Sequence, residues 1–149
     1  MATRARIGIQ LDDNSVLSVY HHWDGYPQWL GRILKTHYNT REQVAELIDG
    51  GDMSSCWTNE RWGGVNEYGG QTYFEPEEST EYGPQYYSQR GEDCPPRLDT
   101  IFDFLDKNNN EEYAYIWTVN NEWKCLDMHS FDDSKSPEVV EIPEGALAV

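Results

Sequence analysis

The stretch ARIGIQLDDNSVLSVYHHWDGYPQWLGRIL, residues 5–34, decides the fold. Ala5, Ile7, Ile9 and Leu11 alternate with Arg6, Gly8 and Gln10, the period-two pattern of a strand with one buried face. Residues 16–22 are again rich in Val, Leu and Tyr, and the cluster Asp12-Asp13-Asn14-Ser15 between the two runs predicts a β-hairpin. Asp24-Gly25-Tyr26-Pro27 then breaks the strand, and Pro27 suits the first turn of a helix, where its missing N–H costs nothing. Leu30, Ile33, Leu34 and His37 follow at helical spacing. HHWDGYP therefore reads as the joint between a sheet and its first helix, with Trp23 in the core and Asp24 capping the helix.

Downstream, Thr40-Arg41-Glu42-Gln43 is a capping-box pattern that opens a second helix. Val44, Leu47 and Ile48 form its apolar face, and Gly50-Gly51 ends it. Residues 57–96 carry paired glycines and prolines, with aromatics in no sustained period, and predict a long irregular excursion with short strands near 71–74 and 85–88. Leu98, Ile101, Phe102 and Leu105 predict a third helix, and EYAYIWTV (112–119) and EWKCLDM (122–128) a second hairpin turning at Asn120-Asn121. Beyond residue 129 the chain is rich in Ser, Asp, Pro and Glu; only VVEIP suits a sheet edge. The expectation is one α+β domain over 1–129 with an acidic tail over 130–149. Strands at 5–11, 16–22, 112–119 and 122–128 would form an antiparallel sheet against helices near 28–37, 41–49 and 98–106.

The chain has 149 residues and a formal charge of −16, unevenly placed. Residues 1–53 hold seven acids against five bases, 54–96 eight against two, and 97–149 twelve against four. Such a charge disfavours nucleic acid and anionic membranes, whose capture depends on Lys and Arg. It favours a partner protein with a basic surface. No stretch approaches a membrane span or a signal peptide's apolar run, and Cys56, Cys94 and Cys125 lack disulfide spacing, so a reducing cytoplasm is expected.

Chemistry-bearing motifs are scarce. His21 and His22 point to opposite faces of a strand, so they do not converge on one metal ion. Asp106-Lys107-Asn108-Asn109-Asn110 begins like a calcium loop, but its sixth position is Glu111 and its twelfth Trp117, where glycine and glutamate are required. Common nucleotide and hydrolase signatures are absent. No catalytic residue, metal or cofactor is expected. What remains is an aromatic surplus in the middle of the chain, where aromatic and arginine side chains suit a partner-binding surface. Trp57, Arg61, Trp62, Tyr68, Tyr82 and Arg90 are the candidate binding residues.

The segments Thr3-Arg4 through Ile7-Gly8-Ile9, Ser18-Val19-Tyr20-His21 with His22-Trp23-Asp24-Gly25-Tyr26-Pro27, and Leu34-Lys35-Thr36-His37-Tyr38-Asn39 resemble a family of small proteins encoded by tailed bacteriophages and prophages. Gly51-Asp52-Met53-Ser54-Ser55, the run from Tyr87 to Glu92, and Glu112-Tyr113-Ala114-Tyr115 extend the likeness. It is close over residues 3–56 and looser over 86–128, while residues 57–85 are longer and more acidic than is typical. The resemblance implies a phage origin and a host cytoplasm, and carries no catalytic residue onto this chain. Taken with the charge, it leads to the expectation of a non-enzymatic protein that binds and inhibits a host protein, such as a defence or nucleic-acid-handling factor. The alternative is a small-molecule binder or enzyme for a nucleotide-like ligand held among the central aromatics.

Overall fold

A computed structural model describes residues 3–23, 25–57, 62–65, 71–74, 83–105, 111–128, 138–140 and 142. In chain order these form β1 (Ala5–Gln10), β2 (Ser15–His21), a π-turn (Pro27–Gly31) that runs into α1 (Arg32–His37), and α2 (Arg41–Asp49). Then come β3 (Met53–Trp57), β4 (Trp62–Val65), β5 (Gln71–Phe74), β6 (Gly83–Tyr86) and a 3-10 turn (Tyr87–Arg90). The chain closes with β7 (Arg97–Thr100), α3 (Ile101–Phe104), β8 (Tyr113–Trp117), β9 (Trp123–Asp127) and β10 (Glu138–Val140). The fold is α+β. Its main sheet has eight strands in the order β10-β9-β8-β1-β2-β3-β6, with β7 also on β2, and β4-β5 stand apart as a hairpin.

The four expected strands are the centre of this larger sheet. It is mixed rather than antiparallel, because the two hairpins lie side by side with β1 parallel to β8, Ile7 opposite Tyr115. Both hairpins turn through the same three-residue loop. Asn14 N–H donates to Leu11 O and Leu11 N–H to Ser15 O; Asn121 N–H donates to Thr118 O and Thr118 N–H to Glu122 O. Asn14 and Asn121 take the left-handed conformation at φ 65° and 59°, which asparagine tolerates better than most residues. The second turn is thus one residue longer than the expected Asn120-Asn121 pair.

Strand alternation divides the side chains between two faces. Ala5, Ile7, Ile9, Val19, Tyr115, Trp117 and Cys125 face the helices and close the main core with Trp29, Leu30, Ile33, Leu34, Val44, Leu47 and Ile48. Thr40 caps α2 as expected, its Oγ1 accepting from Gln43 N–H at 3.2 Å, while Gln43 Oε1 accepts from Asn39 N–H. The opposite face carries a smaller core of Val16, Phe104, Ala114, Ile116 and Met128. Gly8 makes this packing possible, since a Cβ there would lie 2.5 Å from Val16 Cγ1 and 2.9 Å from Phe104 Cε2.

Three further expectations change. Residues 97–100 pair as a strand with Ser15–Ser18 of β2 instead of opening a helix, because β2 has a free edge there. Only Ile101–Phe104 is helical, with Thr100 Oγ1 accepting from Asp103 N–H. Trp23 is 47% exposed and not in the core. Its backbone N–H donates to Ser54 O, which ties the joint to β3 while the indole turns outward. The joint itself is held by Gly25, whose N–H donates to Thr3 O and whose carbonyl accepts from the buried Tyr115 hydroxyl at 2.7 Å. The proposed cap Asp24 lies outside the described residues, as do Asp106–Asn110 and His129. Within the central excursion, the strand at 71–74 is present and the other falls at 83–86, while β10 sets the start of VVEIP on the edge of β9.

Candidate functional site

The sheet face away from α1 and α2 collects polar groups in an ordered strip. Its physical origin is the split outer edge of β2. Residues 15–18 pair with β7 and His21 pairs with Met53 of β3, which leaves the backbone N–H of Tyr20 between two neighbours. Asp52 fills the gap, its Oδ1 accepting that N–H at 2.8 Å.

Arg6 lies at the centre of this face, almost fully buried. Its Nε donates to Ser18 Oγ at 2.8 Å, and its Nη1 stands 3.6 Å from Glu111 Oε1. Burial lowers the Arg6 pKa and raises that of Glu111, and their mutual attraction opposes both shifts. Removing either partner leaves an unpaired buried charge, the costly outcome for such pairs. Two further pairs flank the first. Arg97 Nε meets Asp99 Oδ2 at 2.5 Å, and Arg4 binds Glu112 through its backbone N–H and its Nη2.

At the end of the strip, Tyr20 Oη lies 2.6 Å from His22 Nδ1, and Trp23 meets the His22 ring edge-on at 4.6 Å between centroids. Burial raises the Tyr20 pKa, so at neutral pH its hydroxyl is protonated and can share a hydrogen bond with Nδ1. The arrangement supplies a polar pair beside an aromatic surface. Cys56 and Cys125 supply no nucleophile, since burial pushes both thiols up to about 12 and keeps them protonated at neutral pH. Among the described residues, no group of three or more His, Cys, Asp or Glu is placed to hold a metal ion, and no helix is long and apolar enough to cross a membrane.

The outer surface is strongly one-signed. Among the described residues, Asp12, Asp13, Glu42, Glu46, Asp49, Glu92, Asp93, Asp103 and Glu122 are exposed, against two exposed lysines, Lys35 and Lys124. Arg4, Arg6, Arg32, Arg41 and Arg97 are buried or half-buried, and Arg4, Arg6 and Arg97 are paired with carboxylates of the chain itself. Beside the strip, α3 holds Phe102 at 83% exposure next to Asp103, and Leu98 of β7 is 63% exposed. The sequence places Phe102 on a buried helical stripe. It projects instead because α3 is too short to bury more than Phe104 and the partly covered Ile101.

Of the six residues singled out by sequence, Arg61, Tyr68 and Tyr82 lie outside the described residues. The structure places only the backbones of the other three. Trp57 ends β3 opposite Gly83, Trp62 begins β4 opposite Phe74, and Arg90 ends the 3-10 turn. Their side chains are outside the described set. The residues that define the strip gave weaker sequence signals, namely polar residues at alternate strand positions such as Arg6, Ser18 and Tyr20.

Comparisons with protein-family models, with curated proteins and with solved structures find no match for this chain.

Proposed function

We propose that this is a non-enzymatic binding protein, phage-encoded as its resemblance implies, that occupies a basic surface of a host protein and inhibits it. The observation that supports this most is that nine carboxylates are exposed against two lysines among the described residues. Long-range attraction speeds encounter with a basic patch, and a buried aromatic contact then holds the complex. Phe102 supplies such an anchor, since exposed aromatics surrounded by polar groups are where interface energy concentrates.

The test is capture from host lysate by the parent protein and by Phe102→Ser, at low salt and at about 150 mM salt, where the screening length is about 8 Å. The expected result is a basic partner retained at the higher salt by the parent and lost by Phe102→Ser, with the two proteins melting alike. A failure to retain any partner at the higher salt, or equal retention by both proteins, counts against this function.

A further inference from the structure

β7 pairs on one side with β2, and among the described residues no strand pairs with its other side. Which backbone groups face that open edge follows from the antiparallel ladder, where successive residues direct their N–H and C=O to opposite sides. Ser15 C=O turns toward β1, where it accepts from Leu11 N–H. Tyr20 N–H turns away from β1, where it donates to Asp52. Val16 and Ser18, in step with Tyr20, also turn away from β1, and their partners are Asp99 and Arg97. Asp99 and Arg97 are thus the residues that bond β7 into the sheet. Leu98 lies between them and directs its N–H and C=O outward, and neither finds a backbone partner among the described residues.

The side chains at this edge are open as well, with Leu98 63% exposed and Thr100 exposed. Exposed carboxylates border the strand at both ends. Glu92 and Asp93 precede it, and the Asp12-Asp13 turn stands by its far end because Ser15 pairs with Thr100. An open edge is a template for a further strand, and strand addition is a recurring mode of protein recognition. A second copy of this chain, itself at −16, would set these carboxylates against their own kind. A positively charged segment meets opposite charge at both ends.

We infer that the open edge of β7 takes up one extended, lysine- or arginine-bearing segment of the partner protein as an added strand. Leu98 N–H and C=O exchange hydrogen bonds with that segment, an apolar side chain of the segment covers Leu98, and its cations lie toward the bordering carboxylates. The inference rests on the proposed basic partner and supplies the way in which that partner docks.

The experiment is backbone-amide NMR of the full chain with an acetylated, amidated Lys-Lys-Val-Thr-Val-Lys-Lys peptide. Its controls are Glu-Glu-Val-Thr-Val-Glu-Glu and a basic form N-methylated along its Val-Thr-Val core. The expected result is a Kd below about 1 mM with the largest shifts at Leu98 and Thr100. Hydrogen exchange at Leu98 should be fast in the free protein and slowed about tenfold by the bound peptide. Both controls should bind about tenfold less tightly. Leu98→Pro removes the outward N–H and leaves the ladder to β2 intact, so it should melt near the parent and bind the peptide about tenfold less tightly. Asp99→Pro breaks the ladder and should melt lower. The inference is overturned if the peptide moves no β7 amide, if the N-methylated form binds as the unmodified one does, or if Leu98 N–H is already protected in the free protein. A dimer in sedimentation that Leu98→Pro abolishes would assign the edge to a second copy and overturn it too. If Leu98→Pro fails to fold, the N-methylated peptide still decides. Capture from host lysate separates this inference from the function. A basic partner held equally by the parent and Leu98→Pro overturns the docking mode alone, while peptide binding with no lysate partner supports the edge and counts against the function.

Discussion

Replacing His21 with leucine should flatten the pH dependence of stability and leave the protein at least as stable at neutral pH. His21 is fully buried on the helix side of β2, opposite Ala5 and Met53, and neither ring nitrogen has a hydrogen-bond partner among the described residues. Burial, with a smaller contribution from the neighbouring His22, lowers its pKa from 6.5 to about 3. The imidazole is therefore neutral in the folded protein at pH 7, and protonation favours the unfolded chain. The stabilising effect of the neutral ring is fully present above pH 6.5. It falls as pH drops below 6.5 and is exhausted near pH 3, at about 1.4 kcal/mol per pH unit. Between pH 6.5 and pH 5, this one group should cost about 2 kcal/mol, a large share of the roughly 5–15 kcal/mol holding a domain together. In His21→Leu the slope disappears, and the buried polar nitrogens no longer remain unpaired, a gain of about 1–3 kcal/mol set against imperfect packing. Urea unfolding of both proteins at half-unit steps from pH 7 to pH 5 measures the difference. Parallel stability curves for the two would refute the reasoning, because they would mean His21 titrates in the folded state as it does in the unfolded chain.

Gly8→Ala should lose about 1–3 kcal/mol in the same unfolding assay, because the added methyl would press on Val16 and Phe104. Trp23→Ala should lose under about 1 kcal/mol, since the indole is half exposed, while Trp29→Ala in the main core should lose about 3–5 kcal/mol; equal melting shifts would contradict the two placements. Asn14→Val should cost about 1–2 kcal/mol through its left-handed backbone, and Asn14→Gly should be nearly neutral, both read from thermal melting.

The first fifty residues were legible because their signals are local. Alternation over 5–11, the Asp-Asp-Asn-Ser turn, Pro27 and the Thr40 cap each act through neighbours a few positions away, and the elements they predict are present. The second hairpin was legible for the same reason. Pairing across the sheet is not a local property. Nothing near Tyr115 in sequence says that it will lie beside Ile7 in a parallel pair, because that depends on how two finished hairpins stack. Residues 97–100 have a helical apolar period, yet the unpaired edge of β2 offers backbone hydrogen bonds that a four-residue segment satisfies better as a strand. That capture shortens α3 and leaves Phe102 outside, so the exposed anchor is a consequence of topology. The same holds for Trp23, where a backbone bond to Ser54 fixes the chain and turns the ring to solvent. Charge was readable as a total from composition. Its sorting into paired arginines and an acidic exterior required positions brought together from β1, β7 and the segment before β8, since electrostatic pairing acts through space and not along the chain.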